Sequence, residues 1–224
     1  MLALLYDVHG NPSALEAVLL DAEGAGATSY LVGGDLVAAG PDPSATLERL
    51  RSLPEARFLR GNTERWLLET PIDLLPFLWR ALDEARRELR WEEIEWLYSL
   101  PTRVELNGVL YVHASPLVDT DSFAPDPQPE DERRLAGVRD VTVVFGHSHV
   151  QFGPRPGPQG TTLVNPGSVG APLDRDPRAA YALVAHGEFD LRRVDYDYVR
   201  TAEQMRALGT WAEPLAERIA QAHA

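Results

Sequence analysis

The 224-residue sequence predicts an α/β fold, and two features carry that expectation. Over residues 2–59, short apolar runs alternate with helix-patterned stretches, the strand–helix–strand–helix–strand order that builds a sheet through right-handed crossovers. Several apolar runs then stop in Gly, Asp, Asn or His, and the carboxyl ends of strands are where ligand sites gather in open α/β sheets.

Residues 2–6 read as a buried strand. Pro12 is placed to open a helix, on which Leu15, Val18, Leu19 and Ala22 recur at helical spacing up to Gly24. Residues 29–32 form a second strand running into Gly33-Gly34-Asp35. Gly40-Pro41-Asp42-Pro43-Ser44 is a turn, residues 45–53 a helix, and residues 56–59 a third strand ending in Arg60-Gly61-Asn62-Thr63-Glu64. Residues 64–100 are mostly helical: a segment 66–75 interrupted by Pro71 and Pro76, a long amphipathic helix 77–90, and a further helical face marked by Trp91, Ile94, Leu97 and Tyr98. The aromatics here are read as core rather than as a base-stacking platform, and a lid role for the segment is left open. Residues 103–106 and 109–112 flank an Asn107-Gly108 hairpin turn, and the second of these strands ends at His113. Residues 119–131, rich in Asp and Pro, are a surface loop. Residues 141–145 form a strand ending in Gly146-His147-Ser148-His149. Strands follow at 161–164, 181–185 and 189–194, with a Gly/Pro-rich loop at 153–160 and C-terminal helices over 205–222. No linker interrupts the chain, so residues 1–224 are expected to form a single domain.

Composition narrows the function classes. Apolar content of 44% and charged content of 25% are those of an ordinary globular protein. The first residues lack a basic region and are too short for a signal peptide or membrane span, so the expectation is a cytoplasmic protein. With no cysteine, disulfides and thiolate-bound zinc are excluded. A net charge of −13 argues against general nucleic-acid or anionic-membrane binding. Every basic residue is arginine, which removes catalytic lysine and the lysine-dependent phosphate loop from consideration. The oligomeric state, homo-oligomer included, is left open.

The candidate ligands obey one rule. Asp7 and His9, Asp35, Asn62, His113, and His147 with His149 each follow directly on a predicted strand. On an extended backbone residues i and i+2 point the same way, so Asp7 and His9 can reach one point. Glycines 10, 33, 34, 61 and 146 allow tight turns beside them. One histidine at a strand end is usually structural; seven N/O donors at five strand ends point to metal. Seven exceed one tetrahedral ion and fit two, each with three protein ligands plus a shared carboxylate. Such donors favour manganese, iron, zinc, cobalt or nickel. Two ions ~3.5–4 Å apart lower the pKa of a bridging water and clamp a phosphoryl group. Only two of the seven donors are anionic, so the cluster stays positive towards phosphate.

Asp7-x-His9-Gly10-Asn11, Gly33-Gly34-Asp35, Gly61-Asn62-x-Glu64, a lone His113 and Gly146-His147-x-His149, in this order, resemble the calcineurin-like metallophosphoesterase family. Gly40-Pro41-Asp42-Pro43, the 96–101 string Trp-Leu-Tyr-Ser-Leu-Pro and the 165–170 string Asn-Pro-Gly-Ser-Val-Gly resemble its small bacterial YfcE-like and diadenosine-tetraphosphatase-like branch. The resemblance implies a four-layer α/β/β/α sandwich with a binuclear site at one end. Asp7, His9 and His149 would hold one metal, Asn62, His113 and His147 the other, and Asp35 would bridge, with Asp35, Asn62 and His113 central to catalysis. A metal-bridging hydroxide would attack phosphorus in a phosphodiester, nucleotide or dinucleoside polyphosphate.

One position departs from the family pattern. Thr63 stands where the family usually has the histidine that protonates the leaving oxygen, a transfer worth ~10²–10⁴-fold. The expectation is slow turnover of alkyl phosphomonoesters and a preference for better leaving groups. Arg60, Asn11 and Thr63 are the candidate substrate-binding residues, Arg60 as a bidentate phosphate grip or else a surface ion pair. Two other functions remain in view: a serine/threonine protein phosphatase, and a weakly active or non-catalytic metal-binding scaffold.

Overall fold

The structure, a computed structural model, describes residues 1–223. Strands β1 (Leu2–Leu5), β2 (Ser29–Val32) and β3 (Ala56–Phe58) alternate with helices α1 (Pro12–Gly24) and α2 (Pro43–Arg51). The middle of the chain is α3 (Asn62–Trp66), α4 (Pro76–Glu88) and α5 (Trp91–Ser99). After β4 (Arg103–Leu106), β5 (Val109–Val112), the short α6 (Asp131–Arg134) and β6 (Thr142–Val144) come β7 (Phe152–Pro156) and β8 (Thr162–Asn165). The chain closes with β9 (Ala179–Ala185), β10 (Glu188–Val194), α7 (Tyr198–Ala207) and α8 (Glu213–Gln221).

Two five-stranded sheets result, ordered β10-β9-β1-β2-β3 and β4-β5-β6-β8-β7. In the first, β1, β2 and β3 run parallel; in the second, β5, β6 and β8 do, with antiparallel strands at the edges. Strand alternation assigns each side chain to a layer. Ala3 and Leu5 of β1 face α1 and α2 in a core shared with Leu15, Val18 and Leu47, whereas Leu4 faces the second sheet with Leu31, Tyr111, Val144 and Val164. From the second sheet Leu110, Val112, Val143 and Leu163 turn outward and are covered by Phe123 and Leu135. This is the α/β/β/α sandwich, its fourth layer reduced to α6 and its flanking loops. Truncating Leu4 at the inter-sheet seam would cost about 2–5 kcal/mol.

The structure corrects several expected elements. Residues 153–160 are not all loop: β7 occupies 152–156, because Pro154 and Pro156 are tolerated on an edge strand, where β7 pairs with β8 alone across a bulge. Residues 67–75 form no regular helix; the helical segment expected over 66–75 is replaced by the short α3, which starts earlier, at Asn62, and ends at Trp66. α7 starts at Tyr198 rather than 205, where the Asp197 carboxylate accepts from the Arg200 N–H as its cap. Trp91, expected in the core, is 57% exposed.

Candidate metal centre

The carboxyl ends of β1, β2, β3, β5 and β6 converge, and the loops leaving them are stitched together by backbone hydrogen bonds. The Asp7, His9 and Gly10 N–H groups donate to the carbonyls of Gly34, Asp35 and Leu36. Gly146 N–H donates to the carbonyl of His113, 2.7 Å away. Asp7, His9, Asp35 and His149 form one group with ligand atoms within 4.8 Å of one another; Asp35, His113 and His147 form a second. Asn62 adjoins the second, its carboxamide oxygen 2.9 Å from His113 Nε2. All seven residues predicted at strand ends are therefore brought together.

The reason Asp7 and His9 meet is not the one the sequence suggests. The strand ends at Leu5, and Asp7 and His9 are not extended: their φ values are 53° and 50°. Asp35, His147 and His149 also hold positive φ, at 54°, 65° and 58°. Non-glycine residues in the left-handed region cost about 1 kcal/mol or more each and cluster where function demands a side-chain direction. The glycines divide likewise. Gly34 uses a φ of 95°, but Gly61 and Gly146 have no such need. A Cβ on Gly61 would lie 2.3 Å from Asp35 Oδ1, and one on Gly146 2.5 Å from Asp7 Oδ2. These two are glycines because carboxylates press against their backbone.

The hydrogen bonds fix which nitrogen of each ring is free. A carbonyl oxygen only accepts, so His9 Nδ1 carries the proton it gives Ala38 (2.8 Å), His113 Nδ1 the one it gives Gly33 (2.9 Å), and His149 Nδ1 the one it gives Ala171 (2.6 Å). Their Nε2 lone pairs are left facing the centre, and His9 Nε2 and His149 Nε2 stand 3.1 Å apart. Asp7 Oδ2 accepts the His147 backbone N–H at 2.9 Å, while Asp7 Oδ1 is buried with no hydrogen-bond partner. Asn62 repeats the pattern. Its outer amide atom lies 2.9 Å from both His113 Nε2 and His147 Nδ1, and 3.2 Å from the Asp119 carbonyl. An NH₂ there satisfies acceptors; an oxygen there adds one more lone pair to a convergence that a cation resolves. The donor set thus fits metal, with three of its four imidazoles anchored by a backbone carbonyl behind the ring.

Electrostatics agree. Burial lowers His9, drives His149 well down and takes His147 to about 4, so these rings are neutral ligands near neutral pH. Burial raises Asp7 well above the usual carboxylate range. Asp35 resists burial and falls to about 2, its carboxylate favoured chiefly by His113 beside it. Burial opposes a charged His113, but Asp35 and Asp7 outweigh it and raise its pKa. That negative field is the one that would hold a cation.

The remaining predicted residues separate. Thr63 lines the cleft above the cluster, and both its backbone N–H and its hydroxyl donate to Asp35 Oδ1 at 2.9 Å. Asn11 does not face substrate. It is fully buried, its oxygen caps α1 through the Ala14 N–H, and its NH₂ donates to Gly170 and Tyr196. Arg60 also turns away: it lines a separate cavity behind His113, donates to the Tyr98 carbonyl at 2.9 Å and lies over the Tyr98 ring. Neither a phosphate grip nor an ion pair describes it, because β3 aims it along α5.

Sequence reasoning missed other contributors. Glu64, fully buried, accepts the backbone N–H groups of Asp35, Leu36 and Gly61 at 2.7–2.8 Å, tying the β2 and β3 loops together. Burial and Asp35 push its carboxyl up to about 7. Its place in the Gly61-Asn62-x-Glu64 string was the available signal. Ser168 donates to the Asp7 carbonyl at 2.7 Å and accepts from the Ala171 N–H. The cleft, about 170 Å³, has a second wall of Trp66, Leu78, Leu173, Leu215, Arg218 and Ile219. Its α8 part carried no motif.

Comparison with known proteins bears on this geometry. Over residues 1–188 the chain matches the profile of the calcineurin-like phosphoesterase superfamily domain. It is 28% identical over 233 residues to the uncharacterized protein MJ0912 of Methanocaldococcus jannaschii, covering 92% of this chain and 91% of that one. Among solved structures it is similar to a metallophosphoesterase from Sphaerobacter thermophilus, with a TM-score of 0.82, 28% identity and 99% of each chain covered. It shares the fold of YfcE, a phosphoesterase from E. coli, with a TM-score of 0.52, 19% identity, and 87% of this chain and 99% of that one covered. With the superfamily profile matched over residues 1–188, most of its length, the chain belongs to the calcineurin-like phosphoesterase superfamily.

Proposed function

We propose that the protein is a binuclear metal-dependent phosphoesterase hydrolysing a small phosphorylated substrate: a phosphodiester, nucleotide or dinucleoside polyphosphate. One observation carries this: ligand atoms of Asp7, His9, Asp35 and His149 lie within 4.8 Å of one another, with Asp7 Oδ1 buried and without a hydrogen-bond partner, an arrangement that cations complete. Asp7, His9 and His149 would hold one ion, Asn62, His113 and His147 the other, and Asp35 would lie between both. Divalent ions such as manganese, iron or zinc would supply an acidified water as nucleophile and positive charge for the phosphoryl oxygens.

The chain's own residues do the rest. Backbone carbonyls of Ala38, Gly33 and Ala171 keep the ring protons on the outer nitrogens, presenting the inner ones unprotonated. Glu64 and Thr63 hold Asp35 from the backbone side. Because the Thr63 hydroxyl is given to Asp35, no side chain at that position serves as general acid. This favours esters and anhydrides whose leaving groups depart without a proton.

Elemental analysis of the purified protein, with a manganese-supplemented screen of phosphate mono- and diesters, is the test. About two ions per chain with diester hydrolysis supports the proposal. No metal and no hydrolysis would sink it in favour of a scaffold, and activity on phosphoseryl or phosphothreonyl proteins alone would move it to a protein phosphatase.

A further inference from the structure

Helix α8 begins at Glu213, beyond residues 1–188 where the superfamily profile ends, yet it supplies part of the cleft wall. Its Arg218 is half-buried and lines the same cleft as His9. Arginines of this acidic chain are commonly paired: Arg65 with Asp119, Arg155 with Asp131, Arg193 with Asp174. Arg218 is not. Among the described residues its guanidinium finds no carboxylate and no carbonyl, only the Phe77 ring 5.4 Å from its carbon. A partly desolvated cation without a counterion is unfavourable, and here its field also reaches His9. With cations held by the strand-end cluster, that centre and Arg218 would present positive charge to the same cleft, and an anion bound there would satisfy both. Among the described residues no other arginine lines the cleft, and the chain has no lysine. Beside Arg218 the wall is apolar: Trp66, Leu78, Leu173, Leu215 and Ile219. A polyphosphate chain finds one side-chain cation there, whereas an aryl or alkyl group finds a surface to cover.

We infer that Arg218 binds a non-bridging oxygen of the substrate phosphate, and that the apolar wall beside it receives an uncharged aryl or alkyl substituent. The cleft then selects single-phosphate esters of nonpolar groups over polyphosphates. This rests on the phosphoesterase reading and narrows its substrate class.

Calorimetric titration of the manganese-loaded protein with phenylphosphonate and methylphosphonate, neither hydrolysed, reads both halves. Phenylphosphonate is expected to bind at least about fivefold tighter, from the apolar area its ring covers. R218Q should weaken both ligands about tenfold or more, from the lost charge-assisted hydrogen bond, with R218K recovering part of that. Leu78→Ser should weaken phenylphosphonate alone. Metal content and melting temperature of each variant must match the wild type. Unchanged binding in R218Q overturns the role of Arg218, and equal affinity for the two phosphonates overturns the apolar subsite. If the wild type cleaves bis(p-nitrophenyl) phosphate while the R218Q titrations are unchanged, this inference fails and the phosphoesterase reading stands. If the wild type is inert on every ester, the phosphoesterase reading fails, while the titrations still decide Arg218.

Discussion

One wall of the cleft is made of strand-end loops in which Asp7, His9, Asp35, His147 and His149 all hold positive φ. The other is made of regular helices, α4 and α8, presenting Leu78, Leu215, Arg218 and Ile219. The loops are strained, polar and fixed by buried backbone contacts; the helices are relaxed, largely apolar and held by a small satellite core with Ala81, Met205 and Ala216. The difference teaches where each property can reside. Side chains that must converge within 4.8 Å of one another need backbone that departs from regular structure, and such backbone survives only where two sheets over-determine it. A wall that only has to fit a substituent can be an ordinary amphipathic helix.

The comparison can be broken most forcefully at Asp35. Asp35→Asn removes a charge facing His9 at 3.6 Å and His113 at 3.4 Å. Since loss of a mere supporting residue costs 10–100-fold, ester hydrolysis should fall by more than about 10²-fold, with metal content dropping below wild type by elemental analysis. Full activity would place the chemistry elsewhere. Chelation should act in the same direction: dialysis against EDTA abolishes hydrolysis and manganese restores it, whereas unaltered rates after verified metal loss would separate activity from the strand-end wall.

Acid is expected to attack the loop wall first. His147 titrates at about 4 against an ordinary 6.5, and His9 and His149 are lowered too, so unfolding lets all three bind protons that the native fold refuses. In the metal-free protein the contribution of these three histidines should therefore be lost as pH falls from about 6.5 to about 4, opposed by His113, Glu64 and Asp7, whose raised pKa values favour the fold over the same window. An NMR titration of the metal-free protein in which His147 protonates near the ordinary 6.5 would contradict the buried, neutral histidines.

Thr63→His sharpens the contrast by adding a general acid at the boundary of the two walls. The backbone N–H of residue 63 can still hold Asp35. Turnover of an alkyl phosphomonoester should rise about tenfold or more, and no gain would count against Thr63 as the limiting feature. The smallest change in activity is expected from Asn11→Ala, which removes a helix cap worth about 1 kcal/mol. It should lower the melting temperature and leave KM for a diester near wild type, whereas a large KM change would return Asn11 to the substrate.

Much of the loop wall was legible in the chain. The apolar runs ending at Asp7, Asp35, Asn62, His113 and His147 mark strand ends because hydrophobic periodicity and glycine punctuation are local signals. The misreadings were all cases where a neighbour decides. Residues 153–160 look like loop until β8 offers an edge for β7, and Arg60 looks like a phosphate grip until Tyr98 takes it. Asn11 lies in the same string as His9, but an N-cap one residue before Pro12 claims its side chain. Arg218 carried no motif, since its role depends on α8 packing across the cleft.

The sequence by itself determined the α/β order, the superfamily and the seven donors, because strand patterning and residue type are written locally. Only the tertiary structure decided how those donors meet, through left-handed backbone at five of them, and what lies opposite. Convergence across 140 residues, such as His9 with His149, is a property of two stacked sheets and of no stretch of chain alone.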